Sequence, residues 1–169
     1  MLRILVPVDG SSNSLHAVRH VVNEFMRNPA LEIHLLNVQA PFSQYISRFA
    51  SREDRDDFHR DQAEQALLPG RRMLDRFGVP HEVHMELGEK AYVIADAARR
   101  LRCDHIVMGT ARKNSLTRMI EGSVTNRVIA LASVPIEVIP GNPASRMERY
   151  GIPAGAGTAL ASLFLAAAE

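Results

Sequence analysis

Five short apolar runs rich in Val, Ile and Leu punctuate residues 1–140, and helical patterns separate them. The runs are 2–8, 33–38, 79–87, 104–109 and 135–140. Each reads as a strand bounded by turn residues, as at Asp9-Gly10 and before Pro41. After the first, Ser11 or Ser12 offers an N-cap, and Leu15, Val18, Val22, Phe25 and Met26 recur at helical spacing until Asn28-Pro29. Residues 51–77 predict a long helix carrying Phe58, Ala63, Ala66, Leu67, Met73, Leu74 and Phe77, ended by Gly78. Pro69-Gly70 predicts a kink or break within it. Gly88-Glu89-Lys90 leads into a third helix with Tyr92, Val93, Ile94, Ala97, Ala98 and Leu101, and Gly122-Ser123 opens a fourth with Val124, Val128, Ile129 and Leu131. Strands alternating with helices through short connections predict an α/β domain around a mainly parallel sheet.

In the run at 79–87, His81, Val83, Met85 and Leu87 alternate with Pro80, Glu82, His84 and Glu86, which predicts a strand with one wetter face, near an edge. The five strands end at Pro140, so residues 141–169 form a C-terminal extension. It begins as a linker (Asn142-Pro143) and ends in the Ala- and Gly-rich stretch 151–169. That stretch falls short of a bilayer span and suits a docked tail or a partner-binding helix, with a disordered tail as the alternative.

Composition narrows the function classes. Lys and Arg number 20 against 19 Asp and Glu in 169 residues, a net charge of +1, which argues against a chain whose main partner is nucleic acid. Cys103 is the single cysteine, which excludes an internal disulfide and a cysteine-based zinc site and suits a reducing cytoplasm. The opening apolar run is too short for a signal peptide.

In open α/β sheets, ligands bind beyond the carboxyl ends of strands. Two such ends carry unusual residues: Pro7-Val8-Asp9-Gly10-Ser11, and Gly109-Thr110-Ala111-Arg112 followed by Gly122-Ser123. A helix opened by Gly122-Ser123 presents free N–H groups to a phosphate, with hydroxyls from Ser123 and Thr125, and Gly109 leaves room for a sugar or phosphate. The loop between them holds Arg112, Lys113 and Arg118 against one acid, Glu121. The competing reading is that both glycines only make turns.

Other candidates are weaker. His16 and His20 are four apart on a helix but have no third ligand nearby in sequence. His81 and His84 point to opposite faces of a strand. The acidic cluster Glu53, Asp54, Asp56, Asp57 and Asp61 reads as a solvated helix start. Arg102 beside Cys103 could lower the thiol pKa, although a junction cysteine is more often inert. No metal site and no Ser–His–Asp arrangement or other catalytic set is expected.

The sequence resembles the universal stress protein family over residues 2–140. The resemblance lies in Ile4-Leu5-Val6-Pro7-Val8-Asp9-Gly10-Ser11, the Gly88 helix start, Asp104-His105-Ile106-Val107-Met108-Gly109, Gly122-Ser123-Val124 and Val134-Pro135-Ile136-Glu137-Val138-Ile139. It extends to the family's nucleotide pattern: Gly109, two residues, Arg112 in place of the middle glycine, nine residues, then Gly122-Ser123. The resemblance implies a doubly wound, Rossmann-like five-stranded parallel sheet of the adenine nucleotide alpha hydrolase-like type. It implies a homodimer through the last strand and ATP or another adenine nucleotide (AMP or ADP) as ligand. Carried over, Pro7, Val8 and Asp9 lie by base and ribose, and the Val38 backbone meets adenine. Met108 and Gly109 meet the ribose and first phosphate, with Ala111 and Arg112 nearby, and Gly122, Ser123, Val124 and Thr125 hold the phosphates. Arg112 could pair with a phosphate directly, and Asp9 could help hold Mg²⁺. The implied role is a stress-response module with at most slow ATP hydrolysis. The alternative is an interaction protein without nucleotide, acting on an unknown partner through its dimer face and tail.

Overall fold

The computed structural model describes residues 2–43, 49, 51–110 and 123–141. Five strands, β1 (Leu2–Pro7), β2 (Leu31–Gln39), β3 (His81–Leu87), β4 (His105–Thr110) and β5 (Ile136–Pro140), form one parallel sheet in the order β3-β2-β1-β4-β5. Helices α1 (Ser12–Arg27), α2 (Arg52–Arg76), α3 (Lys90–Arg100) and α4 (Val124–Leu131) connect them in turn. The chain steps from β1 to β2 to β3 in one direction, then crosses back to β4 and β5. With one crossover hand throughout, that reversal sends the later helices to the other face. Two cores follow. Ile4, Val6, Ile33, Leu35 and Val107 pack under Val18, Val21, Leu67 and Leu74 of α1 and α2. Leu5, Leu36, Val38, Ile106 and Met108 pack under Ile94, Ala97 and Val128 of α3 and α4. The fold is the parallel α/β sheet that the alternation of patterns predicts, doubly wound as the family resemblance implies.

The helix starts follow the expected chemistry. Ser11 caps α1, its hydroxyl oxygen accepting from Ser14 N–H at 3.2 Å. Ser51 and Asp54 form a capping box on α2, so the acidic cluster begins as a cap. Asp57–Arg60 is an exposed ion pair of the same helix. Glu89 caps α3 by accepting from Ala91 and Tyr92 N–H.

Two expectations need correction. The helix at 52–76 continues through Pro69 without a break. Buried residues on both sides of the proline, Leu67 and Leu74, dock it on the sheet, and Gly70 lies against Val8, Val18 and Leu35. Packing therefore outweighs the lost backbone hydrogen bond. In β3, an edge strand as expected, the apolar parity is not the buried one. Val83, Met85 and Leu87 are exposed, whereas His84 and Glu86 are half-buried on the α3 side. Glu86 is held there by Arg100 at 2.6 Å.

Burial pushes the Cys103 thiol up to about 11, against the downward pull of Arg3, so Cys103 is a core residue rather than a nucleophile. Arg102 beside it takes a positive φ of 53° to complete the turn into β4.

At Gly109 in β4 the first turn of α1 comes so close that a Cβ would overlap the Asn13 carbonyl group. The obstacle is backbone and cannot rotate away. Gly109→Ala is therefore expected to lower stability by about 2 kcal/mol or more in urea unfolding; an unchanged midpoint would show that α1 can shift.

Candidate functional site

Beyond the carboxyl ends of β1 and β2 lies a cavity of about 500 Å³. Its walls are Asp9 and Gly10 after β1, Asn37 to Ala40 from the end of β2, Phe42, the stripe Phe58, Gln62 and Ala66 of α2 with His59 and Gln65, and Lys90 at the start of α3.

The floor is set by hydrogen bonds that continue the β1–β2 ladder past Pro7. Val8 N–H donates to Leu36 O at 2.8 Å. The buried Asn37 amide donates to Val8 O at 2.7 Å, and its own oxygen accepts from Gln39 Nε2 at 2.7 Å. Both polar ends of Asn37 are thus engaged, which meets the cost of burying them. Gly10 turns the chain out of β1 with φ 81°, and α2 passes close above it at Ala66. An L side chain there would face both backbone strain and a near contact.

Asp9 is anchored in the turn that starts α1. Its Oδ1 accepts from Ser11 N–H at 3.0 Å, and its own N–H reaches Ser14 Oγ at 3.4 Å. The Ser14 hydroxyl donates to Ser11 O at 3.0 Å. Burial acts to raise the Asp9 carboxyl, but the hydrogen bonds from Ser11 and Ser14 together outweigh it and hold the pKa below the ordinary value. The cavity therefore has a carboxylate at its β1 side at neutral pH.

Aromatic rings close the outer wall. Phe42 stacks obliquely on His59 with centroids 4.5 Å apart and meets Phe58 at 5.3 Å. His59 is buried, and its Nδ1 has no hydrogen-bond partner among the described residues.

The structure brings together only part of the set expected from sequence. Asp9 and Val38 line the cavity. Val8 lies directly beneath, buried, with its carbonyl on Asn37; Pro7 ends β1 just below. Met108 is buried in the core under α3 and α4, so its side chain packs there. Gly109 faces Asn13 of α1, which is a packing reason for the glycine independent of any ligand. Ser123 is the N-cap of α4, its hydroxyl oxygen accepting from Asn126 N–H at 3.2 Å, followed by Val124 and Thr125 in the first turn. Arg127 of the same helix reaches Glu89 at 3.0 Å and ties α4 to the start of α3. Ala111, Arg112 and Gly122 lie outside the described residues, as do the basic loop and the tail 142–169.

Asn37, Gln39, Phe42, His59, Gln62 and Lys90 were not expected at the site. The α2 stripe had a signal, because Phe58, Gln62 and Ala66 recur every four residues. Asn37 had one too, as a lone amide in a largely apolar run.

A family model described as the universal stress protein family matches residues 1–140. The chain belongs to this family. Universal stress protein MJ0531 of Methanocaldococcus jannaschii is 32% identical over 139 residues, 81% of each chain. Among solved structures, that of protein MJ0577 aligns at 25% identity with a TM-score of 0.68, covering 85% of this chain and 97% of its own. A universal stress protein family protein of Arabidopsis thaliana with AMP bound aligns at 21% identity and a TM-score of 0.63, covering 86% and 97%, a likeness of fold. The family match ends at residue 140, so residues 141–169 lie beyond it. Among the described residues no helix is long and apolar enough to cross a membrane.

The depressed Asp9 pKa gives a signed expectation for the ligand-free universal stress protein. A carboxylate with a lowered folded pKa contributes stability above its unfolded pKa and loses it as pH falls through the folded one. Asp9→Asn should therefore be less stable than the parent at neutral pH, with the gap closing through the acid range. A gap independent of pH in urea titrations from neutral to acid would contradict the anchored carboxylate.

Proposed function

We propose that this protein binds an adenine nucleotide, ATP or a relative, and acts as a dimeric stress-response module rather than as an enzyme. The observation that carries the reading is the cavity beyond β1 and β2, with an ionised Asp9 on one side and an aromatic wall on the other. Its volume suits a small ligand, and polar side chains from several elements line it among apolar ones. The AMP-bound Arabidopsis relative of the same fold supports adenine as the base.

In this reading Pro7, Val8 and Asp9 flank base and ribose, and the Val38 backbone meets the base. Met108 and Gly109 approach the ribose and first phosphate, with Ala111 and Arg112 beside them. Gly122, Ser123, Val124 and Thr125 take the phosphates at the start of α4, where free N–H groups favour an anion. Mg²⁺, if it accompanies the phosphates, needs oxygen ligands, and the Asp9 carboxylate supplies one. Among the described residues no base is placed beside that set, and in this reading hydrolysis of ATP is at most slow.

Thermal unfolding with ATP and AMP tests the binding. A ligand that binds the native state at a hundred times its Kd adds about 2.7 kcal/mol. Both nucleotides should raise Tm in the parent protein, and Ala40→Trp, which fills the cavity from an exposed wall, should abolish the shift while Tm without ligand stays close to that of the parent. No shift in the parent at millimolar nucleotide overturns the reading.

The dimer is proposed on the exposed edge of β5. Val138 on that strand and Ile129 and Leu131 on the adjacent α4 are open to solvent, an apolar band beside unpaired backbone groups. Sedimentation velocity should give a dimer for the parent and a monomer for Ile129→Glu with Val138→Lys; a monomeric parent would remove the proposal.

A further inference from the structure

On the opposite face of the sheet from α1 and α2, the strand pair β2–β3 assembles a second cluster that the nucleotide reading does not use. His34 Nδ1 lies 3.0 Å from His84 Nε2. Glu82 Oε2 lies 3.5 Å from that same His34 nitrogen and 3.8 Å from that same His84 nitrogen. We propose that His34, Glu82 and His84 form a binding site for a divalent transition-metal ion of the Zn²⁺ class.

The triangle carries the argument. With sides of 3.0, 3.5 and 3.8 Å, the nearest point equidistant from the three atoms, in their own plane, is about 2.0 Å from each. That is the bond length zinc makes to imidazole nitrogen and carboxylate oxygen. Two imidazoles and one carboxylate are also the ligand classes that such ions prefer, whereas Mg²⁺ and Ca²⁺ favour all-oxygen sites.

The surroundings match a metal site in two further ways. His34 is buried, and its far nitrogen, Nε2, lies 3.3 Å from Glu32 Oε1 without the alignment of a hydrogen bond. Glu32 is fixed in turn by Arg3 at 2.9 Å. A small ring rotation would align this carboxylate with the far N–H, the arrangement that leaves the near nitrogen of a ligating histidine a bare acceptor. The second feature is access. His84 is half-buried and Glu82 is 63% exposed on the edge strand, so an ion can enter and a water can complete its shell.

Two alternatives are weaker. With no ion, the two facing nitrogens share one proton in an ordinary hydrogen bond, and Glu82 is then a spectator. The other three-residue cluster, His20, Glu24 and Glu137, is half-buried and offers one imidazole against two carboxylates. A transition ion prefers the two-histidine set.

The ions to use are Co²⁺ and Zn²⁺, on tag-free full-length protein stripped with a chelator and kept free of nucleotide. Co²⁺ should bind at one per chain with the visible absorption of a low-coordinate nitrogen–oxygen site, and Zn²⁺ should displace it and raise Tm. Glu82→Gln, an isosteric change at an exposed position, should weaken binding at least tenfold. His84→Ala should abolish the cobalt spectrum, and Glu32→Gln should cost roughly tenfold or more, as loss of a supporting carboxylate does. His20→Ala should change nothing. Absence of saturable Co²⁺ binding in the parent overturns the proposal, as does a spectrum indifferent to both Glu82→Gln and His84→Ala or one lost in His20→Ala. Nucleotide-induced Tm shifts measured on the same variants should be unchanged, which keeps this result separate from the binding reading above.

Discussion

The reversal of strand order at β1 is the constraint from which the rest of this molecule follows. The chain leaves β1 first toward β2 and later returns to lay β4 on its other side. In open α/β sheets ligands bind near such a reversal, and a gap opens here beyond the carboxyl ends of β1 and β2. The same reversal divides the helices, so the sheet is covered on both faces and the middles of its central strands are apolar and buried, as at Ile4-Leu5-Val6 of β1 and Leu35-Leu36 of β2. It also accounts for Gly109. Here β4 runs beneath the first turn of α1, which begins at the carboxyl end of its neighbour β1, and the two backbones meet. The residue whose lack of a side chain resembles a ligand contact is equally demanded by the crossing of two elements.

The polar groups near that gap are held by one another. Asp9, Ser11 and Ser14 form a closed set in which each supplies what the next lacks. Asn37 satisfies both ends of its amide against Val8 and Gln39. Such networks keep polar atoms fixed in place where solvent is partly excluded, because each unpaired group would carry its full desolvation cost. His59 differs, with a buried nitrogen in the wall of the cavity that has no hydrogen-bond partner among the described residues.

The architecture was legible in the sequence because it is written in periodicity. Apolar runs of strand length alternate with 3.6-residue patterns, and caps at Ser11, Ser51, Glu89 and Ser123 mark where each helix begins. Local rules failed where tertiary packing decides. Pro69 sits inside a continuous helix because Leu67, Gly70 and Leu74 hold both its halves on the sheet. In β3 the period-two pattern identified a strand but pointed to the wrong buried side, since Arg100 and the histidines draw the polar parity inward. The cavity was half legible. Asp9 and Val38 end their strands and are visible as such, but His59, Gln62 and Lys90 come from other elements and meet them only in the fold.

The strand β2 shows why that limit is physical. Alternate residues of a strand point to opposite faces, so Ile33 and Leu35 belong to one core while Leu36 and Val38 belong to the other. His34 shares the parity of Leu36 and therefore sits on the α3 side, three residues before the amide that floors the cavity. Its partners are 48 and 50 residues away in sequence, on β3. Within one strand or helix, histidine spacing can be tested by parity, which is how His81 and His84 are seen to diverge. Across two strands the spacing depends on register, and here His34 is paired with Glu82 while His84 lies one pleat further along the same face. Register is set by every contact in the sheet at once. A two-strand histidine pair is therefore a property of the fold, and one strand can serve two chemically separate places because its pleat keeps them on opposite sides.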